Sequence, residues 1–154
     1  MAGADPKNPK NFHPVSLLPY PAKILERQVT HTITNFLEAH SPMHPGQSGL
    51  SACQSTELMM LSVLDDLRWH SDNNVAMALI LLDLSAAFDT IDHTILLRRM
   101  TLMGITGSAL ARVTFFLGGR TQEVLMGDFT SDTRTLSCGV PQSSAISPLL
   151  LNIY

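Results

Sequence analysis

Cysteine is scarce in this chain of 154 residues, and its scarcity excludes several kinds of site. Cys53 and Cys138 are the only two cysteines, and they lack the close spacing of a zinc-binding motif. So low a cysteine content also excludes a disulfide-rich scaffold. We interpret both residues as reduced thiols of an intracellular protein, although the sequence leaves a single disulfide open.

The chain also has few charged residues and no long apolar run. Charged residues make up 15% of the chain, the net charge is −3, and lysine and arginine are scattered. This composition argues against a nucleic-acid binder that depends on its own basic surface. The longest apolar run, Val75–Leu82, is too short to span a bilayer, and the polar N-terminus is unlike a signal peptide. We therefore expect no membrane partner and an intracellular location, nuclear or cytoplasmic.

Apolar residues are plentiful, at 45%, which is typical of an ordered domain with a core. Residues 1–11 are polar and proline-punctuated, which predicts a flexible tail. Apolar residues then recur at helical spacing, which predicts a helix from Pro21 to about His40. A loop rich in proline and glycine follows over Ser41–Ser51, and a second helix is predicted from Ser55 to about Trp69.

The second half of the chain mixes strand and helix signals. Val75–Asp83 is predicted to be a buried strand, although periodicity alone does not exclude a helix. Helices are predicted after an N-cap at Asp92 and over Ser108–Leu117, with a hairpin at about 121–137. Ser147–Pro148 then predicts a cap and the start of a last helix. This order predicts an α+β fold with a helix-rich N-terminal half, and the short last helix suggests a fragment.

Asp83 is the first candidate functional residue. A buried strand that ends on an acid holds the carboxylate rigidly at the rim of a sheet, where it can bind a divalent metal for phosphate chemistry. An aspartate that caps a turn or a helix is equally compatible with this position. Capping is the stronger interpretation for Asp89 and Asp92, and Phe88 taken alone fits a core position.

A second cluster of candidate residues lies between residues 139 and 154. It places Gly139, Pro141 and Gln142 in a loop between the predicted hairpin and the last helix. Such a loop exposes backbone N–H groups and can bring them close to a ligand. The pattern is weak evidence by itself, because Gly-x-Pro commonly precedes a helix.

The order of five motifs is more specific than any one of them. They are Asn11–Pro19 (NFHPVSLLP), Lys23–Glu26 (KILE), Leu81–His93 (LLDLSAAFDTIDH), Gly139–Gln142 (GVPQ) and Ser147–Leu150 (SPLL). In this order they resemble the reverse transcriptase domain of non-LTR (LINE-type) retrotransposons, from about Pro9 to Tyr154. The resemblance implies a partial right-hand polymerase fold, with fingers over residues 12–74 and an incomplete palm over residues 75–154.

The resemblance also implies DNA synthesis on an RNA template, with a DNA primer, deoxynucleotides and two magnesium ions. Asp83 matches the catalytic palm aspartate that binds both metals. The backbone carbonyl of Leu84 matches a further metal ligand. In such a reaction one ion activates the primer hydroxyl and the other stabilises the leaving pyrophosphate.

The nucleotide-binding residues implied by the resemblance lie on both sides of the predicted hairpin. Phe88 matches the bulky ring that excludes a ribose 2′-hydroxyl. The loop beneath the incoming nucleotide and template base is matched by Gly139, Pro141 and Gln142. Asp89 and His93 also match the family pattern, and we interpret them as structural.

The chain departs from the family pattern in ways that weaken the expected activity. The family's second acid box, an aromatic-Ala-Asp-Asp turn, does not occur here, and Asp83 alone cannot supply the several oxygen ligands that each hard cation needs. Ser143 replaces a usual glycine, which is costly if the position requires a positive φ. His13 and Ser51 stand where the family usually has arginine, so two contacts with phosphate are missing.

We therefore expect the chain to be inactive alone, with weak binding of magnesium and weak or no binding of template and primer. Two alternatives to a polymerase fragment stay open. One is a non-catalytic module that binds nucleic acid or protein, and the other is a relic with no role.

Overall fold

A computed structural model describes residues 15–40, 46–49, 55–84 and 86–154. The chain divides into two compact units. One comprises Asn35–Ser85, and the other comprises the residues up to Thr34 together with Ala86–Tyr154. The predicted tail at 1–11 lies outside the described residues, as do His13, Leu50, Ser51 and Cys53.

Helix α1 spans Tyr20–His40, which confirms the helix predicted from Pro21. Pro21 lies in the first turn, where its missing N–H has no helical acceptor to lose. Ile33 is buried, and Glu26 lies on the same face because seven residues make close to two helical turns. Glu26 is buried as well, which is unusual for a carboxylate.

Helix α2 spans Thr56–Asp72 and begins where the sequence predicts it. The Ser55 side-chain oxygen accepts a hydrogen bond from the Leu58 N–H at 3.3 Å, so Ser55 is the N-cap. Glu57 lies in the first turn, and its hydrogen bond with Ser55 holds the pKa of the Glu57 carboxyl below its ordinary value. A negative charge at this end of α2 also suits the helix dipole.

The apolar face of α2 does not form part of a core. None of the residues of α2 is buried, and the side chains of Leu58, Leu61 and Leu64 are exposed. Helical spacing of leucines indicates which residues share a face, but burial requires a second surface to pack against.

The segment Val75–Leu84 corrects the prediction of a buried strand over Val75–Asp83. It forms neither helix nor strand, and Leu81 and Leu82 are 84% and 88% exposed. A strand needs a neighbour to pair its backbone N–H and C=O groups, and within the described residues no segment pairs with this run. The apolar composition is suited to burial, but in the described part of the chain this run is exposed and unpaired, so the prediction of a buried strand is wrong.

Two short helices follow and form the centre of the packed core. Helix α3 spans His93–Leu102, and helix α4 spans Gly107–Leu117. The Asp92 carboxylate accepts a hydrogen bond from the Ile95 N–H at 3.0 Å, which confirms Asp92 as an N-cap. Helix α3 packs against α4. The buried apolar side chains of these two helices are Leu96, Met100, Val113 and Leu117.

The hairpin predicted at about 121–137 falls on four very short strands. Strand β1 (Thr121–Gln122) pairs antiparallel with β4 (Arg134–Thr135), and β2 (Leu125–Met126) pairs antiparallel with β3 (Phe129–Thr130). Gly127 has a φ of +60° between β2 and β3, where the chain reverses. All eight strand residues are exposed, so the hairpin adds little to the core.

Helix α5 spans Ser147–Ile153 and packs against α3. The N-cap of α5 is Ile146 rather than the predicted Ser147. Ser147 is already the first residue of the helix, and its hydroxyl has no hydrogen-bond partner among the described residues. Pro148 lies in the first turn, as predicted. Leu149, Leu150 and Ile153 are buried, so this helix completes the core.

The described residues therefore form a mixed α and β structure of five helices and two small antiparallel sheets. None of those helices combines the length and the apolar character that crossing a bilayer requires. The assignment of these elements to fingers and palm stays a prediction.

Candidate functional site

The candidate site is built where the loop Cys138–Ile146 folds onto the turn Ala86–Asp92. The Gly139 N–H donates to the Ile91 carbonyl at 2.8 Å, and the Val140 N–H donates to the Phe88 carbonyl at 2.7 Å. These two bonds join segments that are about fifty residues apart in sequence. We refer to the segment Gly139–Ile146 below as the Pro-Gln loop.

Gly139 is required by the close approach of the two segments. Its φ is +81°, a region that residues with a side chain rarely adopt. A Cβ at this position would also lie 2.9 Å from the Asp89 carbonyl oxygen. Only glycine satisfies both conditions, which gives this residue a structural reason beyond the motif.

His93 holds the same end of the loop from the start of α3. Its Nε2–H donates to the Gly139 carbonyl at 2.7 Å, and its side chain is partly buried. The Cys138 thiol donates to the Asp89 carbonyl at 3.5 Å. These contacts agree with the interpretation of His93 as structural, because its ring is occupied in fixing the loop.

Gln142 is fixed through both its backbone and its side chain. Its carbonyl accepts a hydrogen bond from the Ser16 N–H at 3.2 Å. Its Nε2 donates to the two carboxylate oxygens of Asp89 at 3.3 and 3.4 Å. Pro141, immediately before it, is buried. Asp89 therefore has a contact with a predicted site residue, which also fits its structural interpretation.

Ser143 follows Gln142 with a φ of +70°. The sequence comparison with the family pattern predicts strain here if the position requires a positive φ, and the structure has that conformation. A serine in the left-handed region is disfavoured relative to glycine because its Cβ crowds the backbone. The Pro-Gln loop thus contains a local strain that the usual glycine would remove.

Glu26 holds the other end of the loop, and the sequence-based site did not include it. Its Oε2 accepts hydrogen bonds from the Ser144 hydroxyl at 2.7 Å and from the Ala145 N–H at 2.8 Å. The signal in the sequence was the position of an acid on the face of α1 that Ile33 also occupies. A charged residue on a core-facing stripe usually has a specific partner.

Arg120 adds a positive charge whose electrostatic partner is Glu26. Burial lowers the pKa of the Arg120 guanidinium below its ordinary value, and the Glu26 carboxylate acts in the opposite direction. The guanidinium lies over the Phe116 ring, 4.9 Å from its centre, and donates to the Phe116 carbonyl at 3.4 Å. The buried Glu26 carboxylate is therefore partly compensated by the positive charge of Arg120.

The structure brings together four of the six predicted site residues within one unit. Phe88 is half-buried, and its carbonyl is tied to the loop that contains Gly139, Pro141 and Gln142. Asp83 and Leu84 belong to the other unit. Both are exposed, on the unpaired segment described above.

The donor atoms around Asp83 do not fit a pair of magnesium ions. In the ranges that the structure describes, no group of three or more His, Cys, Asp or Glu side chains is placed to hold a metal. One carboxylate and the Leu84 carbonyl are fewer oxygen ligands than two hard cations require. We therefore derive no metal-dependent step from these residues.

Comparison with known proteins identifies the class of protein to which this chain belongs. The sequence profile of the family described as reverse transcriptase (RNA-dependent DNA polymerase) matches residues 5–154, nearly the whole chain. The chain therefore belongs to the reverse transcriptase family.

Its relatives are polymerases of non-LTR retrotransposons. The chain is 27% identical over 150 residues to a Pol polyprotein from the R2 element of Popillia japonica, covering 96% of this chain and 20% of that protein. It is 27% identical over 152 residues to a probable RNA-directed DNA polymerase from the X-element of Drosophila melanogaster, covering 99% and 17%. The jockey polymerase of the same fly is 26% identical, with 99% and 16% covered. The chain thus spans about a fifth or less of the length of these relatives.

Proposed function

We propose that this chain is a segment of an RNA-directed DNA polymerase that forms the nucleotide-facing loop and supplies the first catalytic acid. The observation that supports this proposal best is the packing of the Pro-Gln loop on the turn that contains Phe88. Both segments are family motifs, and the hydrogen bonds of Gly139 and Val140 join them directly. The reaction would be attack of a primer 3′-hydroxyl on the α-phosphate of a deoxynucleotide, with pyrophosphate as the leaving group.

In this proposal Phe88 selects the sugar. An aromatic ring is stiff and bulky. A ring beside C2′ of the nucleotide would therefore leave room for the 2′-hydrogen of a deoxynucleotide and exclude the 2′-hydroxyl of a ribonucleotide. The Phe88 backbone is held by Val140 at 2.7 Å, which would limit the ring's freedom to move aside. Rigid support of this kind is what a selection by shape requires.

Gly139, Pro141 and Gln142 would form the surface beneath the incoming nucleotide and the template base. The absence of a side chain at Gly139 allows the loop to lie against the Asp89 backbone, which would set the position of this surface. Gln142 would present an amide whose orientation Asp89 already restricts. Template RNA and primer DNA are the partners that this role implies. Because such templates occur in the nucleus and the cytoplasm, the proposal includes a location in one of these compartments.

Asp83 would be the metal-binding aspartate, with the Leu84 carbonyl beside it. Because these two groups cannot coordinate two ions by themselves, we propose that the chain does not polymerise DNA alone. Magnesium would bind weakly at a single carboxylate.

The first test is primer extension by the purified chain on a poly(rA) template with an oligo(dT) primer, dTTP and magnesium. We expect no extension above background, and no difference among the wild-type chain, Asp83→Ala and the matched variant Asp72→Ala. A complete reverse transcriptase in the same reaction controls for the substrates. Extension by the wild type that disappears in Asp83→Ala alone would overturn the proposed inactivity.

A second measurement separates the polymerase segment from a binding module. Titration of the chain with single-stranded RNA at several salt concentrations reports binding that depends on phosphate contacts. The chain's acidic net charge predicts weak binding of RNA. Tight, salt-dependent binding would therefore favour a non-catalytic nucleic-acid module.

A further inference from the structure

Glu26 is a buried carboxylate that the proposed chemistry does not use. Only 5% of its surface is exposed, and it lies on α1, far in sequence from the Pro-Gln loop. Its Oε2 accepts from both Ser144 and Ala145. Its Oε1 is buried and has no hydrogen-bond partner among the described residues, and the charge of Arg120 acts on the same carboxylate.

A buried acid at this position is not required for the packing of α1. A leucine would fill a core-facing site without the desolvation of a charge. The two hydrogen bonds to Oε2 are charge-assisted and short, so they compensate part of that cost only while the loop stays in place. The carboxylate is therefore suited to holding the loop rather than to filling space.

The loop is attached at both ends, and Pro141 and Gln142 of the proposed nucleotide-facing surface lie between the two attachments. At the first end, Gly139 and Val140 are hydrogen-bonded to the Phe88 turn. At the second end, Ser144 and Ala145 are hydrogen-bonded to Glu26. The three residues between these points have little freedom, and the bonds of Gln142 with Ser16 and Asp89 restrict that residue further.

The strain at Ser143 makes the second attachment more important. A residue at φ +70° is held there only if neighbouring contacts oppose its relaxation. Ser144, which directly follows it, both donates to Glu26 at 2.7 Å and accepts from the Ile146 N–H at 3.3 Å. Loss of the Glu26 carboxylate would therefore release the strained residue next to Gln142.

We propose that Glu26 is a positioning residue: through Ser144 and Ala145 it fixes the Pro-Gln loop so that Gln142 has one orientation toward the nucleotide. The attachment itself is a property of this chain. Its consequence for nucleotide binding rests on the proposed function.

The test compares local hydrogen exchange in four variants by NMR: Glu26→Ala, Glu26→Gln, Ser144→Ala and, as the matched control, Glu38→Gln. Glu38 is an exposed acid on the same helix. We expect exchange of the Ala145 amide to rise at least about tenfold in Glu26→Ala while core amides such as Leu96 change by less than about twofold. Glu26→Gln keeps one carbonyl acceptor and should recover part of the protection.

Two results would overturn the attachment. One is an Ala145 amide that exchanges at the wild-type rate in Glu26→Ala. The other is a rise that is equal at Ala145 and Leu96, since that describes a loss of global stability. If Glu26→Ala does not fold, Ser144→Ala decides the question. It leaves the carboxylate in place and removes the Ser144 donor to Glu26 together with the acceptor of the Ile146 N–H. Faster exchange of the Ala145 amide with Leu96 unchanged would support the attachment, and an unchanged Ala145 amide would overturn it.

The nucleotide arm uses dTTP with magnesium and follows the side-chain amide signal of Gln142. We expect weak binding by the wild type and Glu38→Gln, and at least about fivefold weaker binding by Glu26→Ala, with partial recovery in Glu26→Gln. Equal affinity in all variants would overturn the role of Glu26 toward the nucleotide. No response at Gln142 in the wild type would instead contradict the proposed nucleotide site, and the exchange data would still decide the attachment.

Discussion

Ser143 shows how one side chain can oppose the conformation that its neighbours require. Its φ of +70° lies between Gln142, which is tied to Ser16, and Ser144, which is tied to Glu26. Neither neighbour can move without the loss of a hydrogen bond. The loop therefore keeps a serine in the left-handed conformation, which glycine would adopt at a lower conformational energy.

We predict that Ser143→Gly stabilises the protein by at most about 1 kcal/mol, because removing the Cβ crowding of a left-handed residue, about 1–2 kcal/mol, exceeds the roughly 0.5–1 kcal/mol that glycine costs through the unfolded chain. Ser137→Gly is the matched control, since Ser137 is exposed and has no positive φ. That control should be neutral or destabilising because glycine adds freedom to the unfolded chain. Urea unfolding measures both changes, and equal effects of the two substitutions would contradict the strain at position 143.

Gly139 and Gly127 separate two reasons for which a glycine is needed. Both have positive φ, at +81° and +60°. A Cβ at Gly127 would meet nothing within 4 Å, whereas a Cβ at Gly139 would meet the Asp89 carbonyl oxygen at 2.9 Å. The first position requires a conformation, and the second requires both a conformation and space.

We predict that Gly127→Ala costs about 1 kcal/mol, the usual penalty of a left-handed residue with a side chain. Gly139→Ala should cost at least about 2 kcal/mol more, because the loop must also move away from the turn that it contacts. Thermal or urea unfolding of the two variants gives the comparison. Similar costs would show that the contact between Gly139 and Asp89 is looser than the structure has it.

At the scale of elements, the helices differ in what surrounds them rather than in their own signals. Helices α2 and α5 both contain many leucines. Helix α5 buries Leu149, Leu150 and Ile153, whereas α2 buries none of its residues. Helix propensity and caps explain why each segment is helical, but only packing explains how much each contributes to stability.

We predict that Leu150→Ala destabilises the protein by about 2–5 kcal/mol, because it removes a fully buried side chain and leaves a cavity. Leu61→Ala is the matched control on α2, where the leucine is 54% exposed, and its cost should be below about 0.5 kcal/mol. Denaturant unfolding monitored by circular dichroism reports both. A large cost at Leu61 would indicate that α2 is packed in solution.

At the scale of the whole molecule, burial is concentrated in one of the two units. Every buried apolar side chain in the described ranges except Leu37 belongs to the unit that contains Ala86–Tyr154. The unit Asn35–Ser85 exposes the leucines of α2 and the apolar run that ends at Leu84. Exposed apolar surface on this scale favours association. The same unit contains Asp83, so the catalytic aspartate of the proposal stands on the less packed part of the chain.

Much of the local structure was predictable because its causes lie within a few residues of one another. Ser55 and Asp92 accept hydrogen bonds from N–H groups three positions later, and such contacts depend on sequence spacing alone. The positive φ at Ser143 was likewise indicated by the glycine that the family usually has there. The contact between the Gly139 loop and the Phe88 turn is different, because it joins segments about fifty residues apart, and only the resemblance to the family implied that both contribute to one site.

Burial could not be predicted in this way, because it depends on surfaces from distant parts of the chain. The sequence by itself determined the helices, the caps at Ser55 and Asp92, the hairpin and the membership of the family. Only the tertiary structure decided that Glu26 is buried against Ser144 and that Leu81 and Leu82 are exposed. A carboxylate is stable in a core only when donors reach it, and an apolar run becomes a buried strand only when other segments pair with its backbone and cover its side chains.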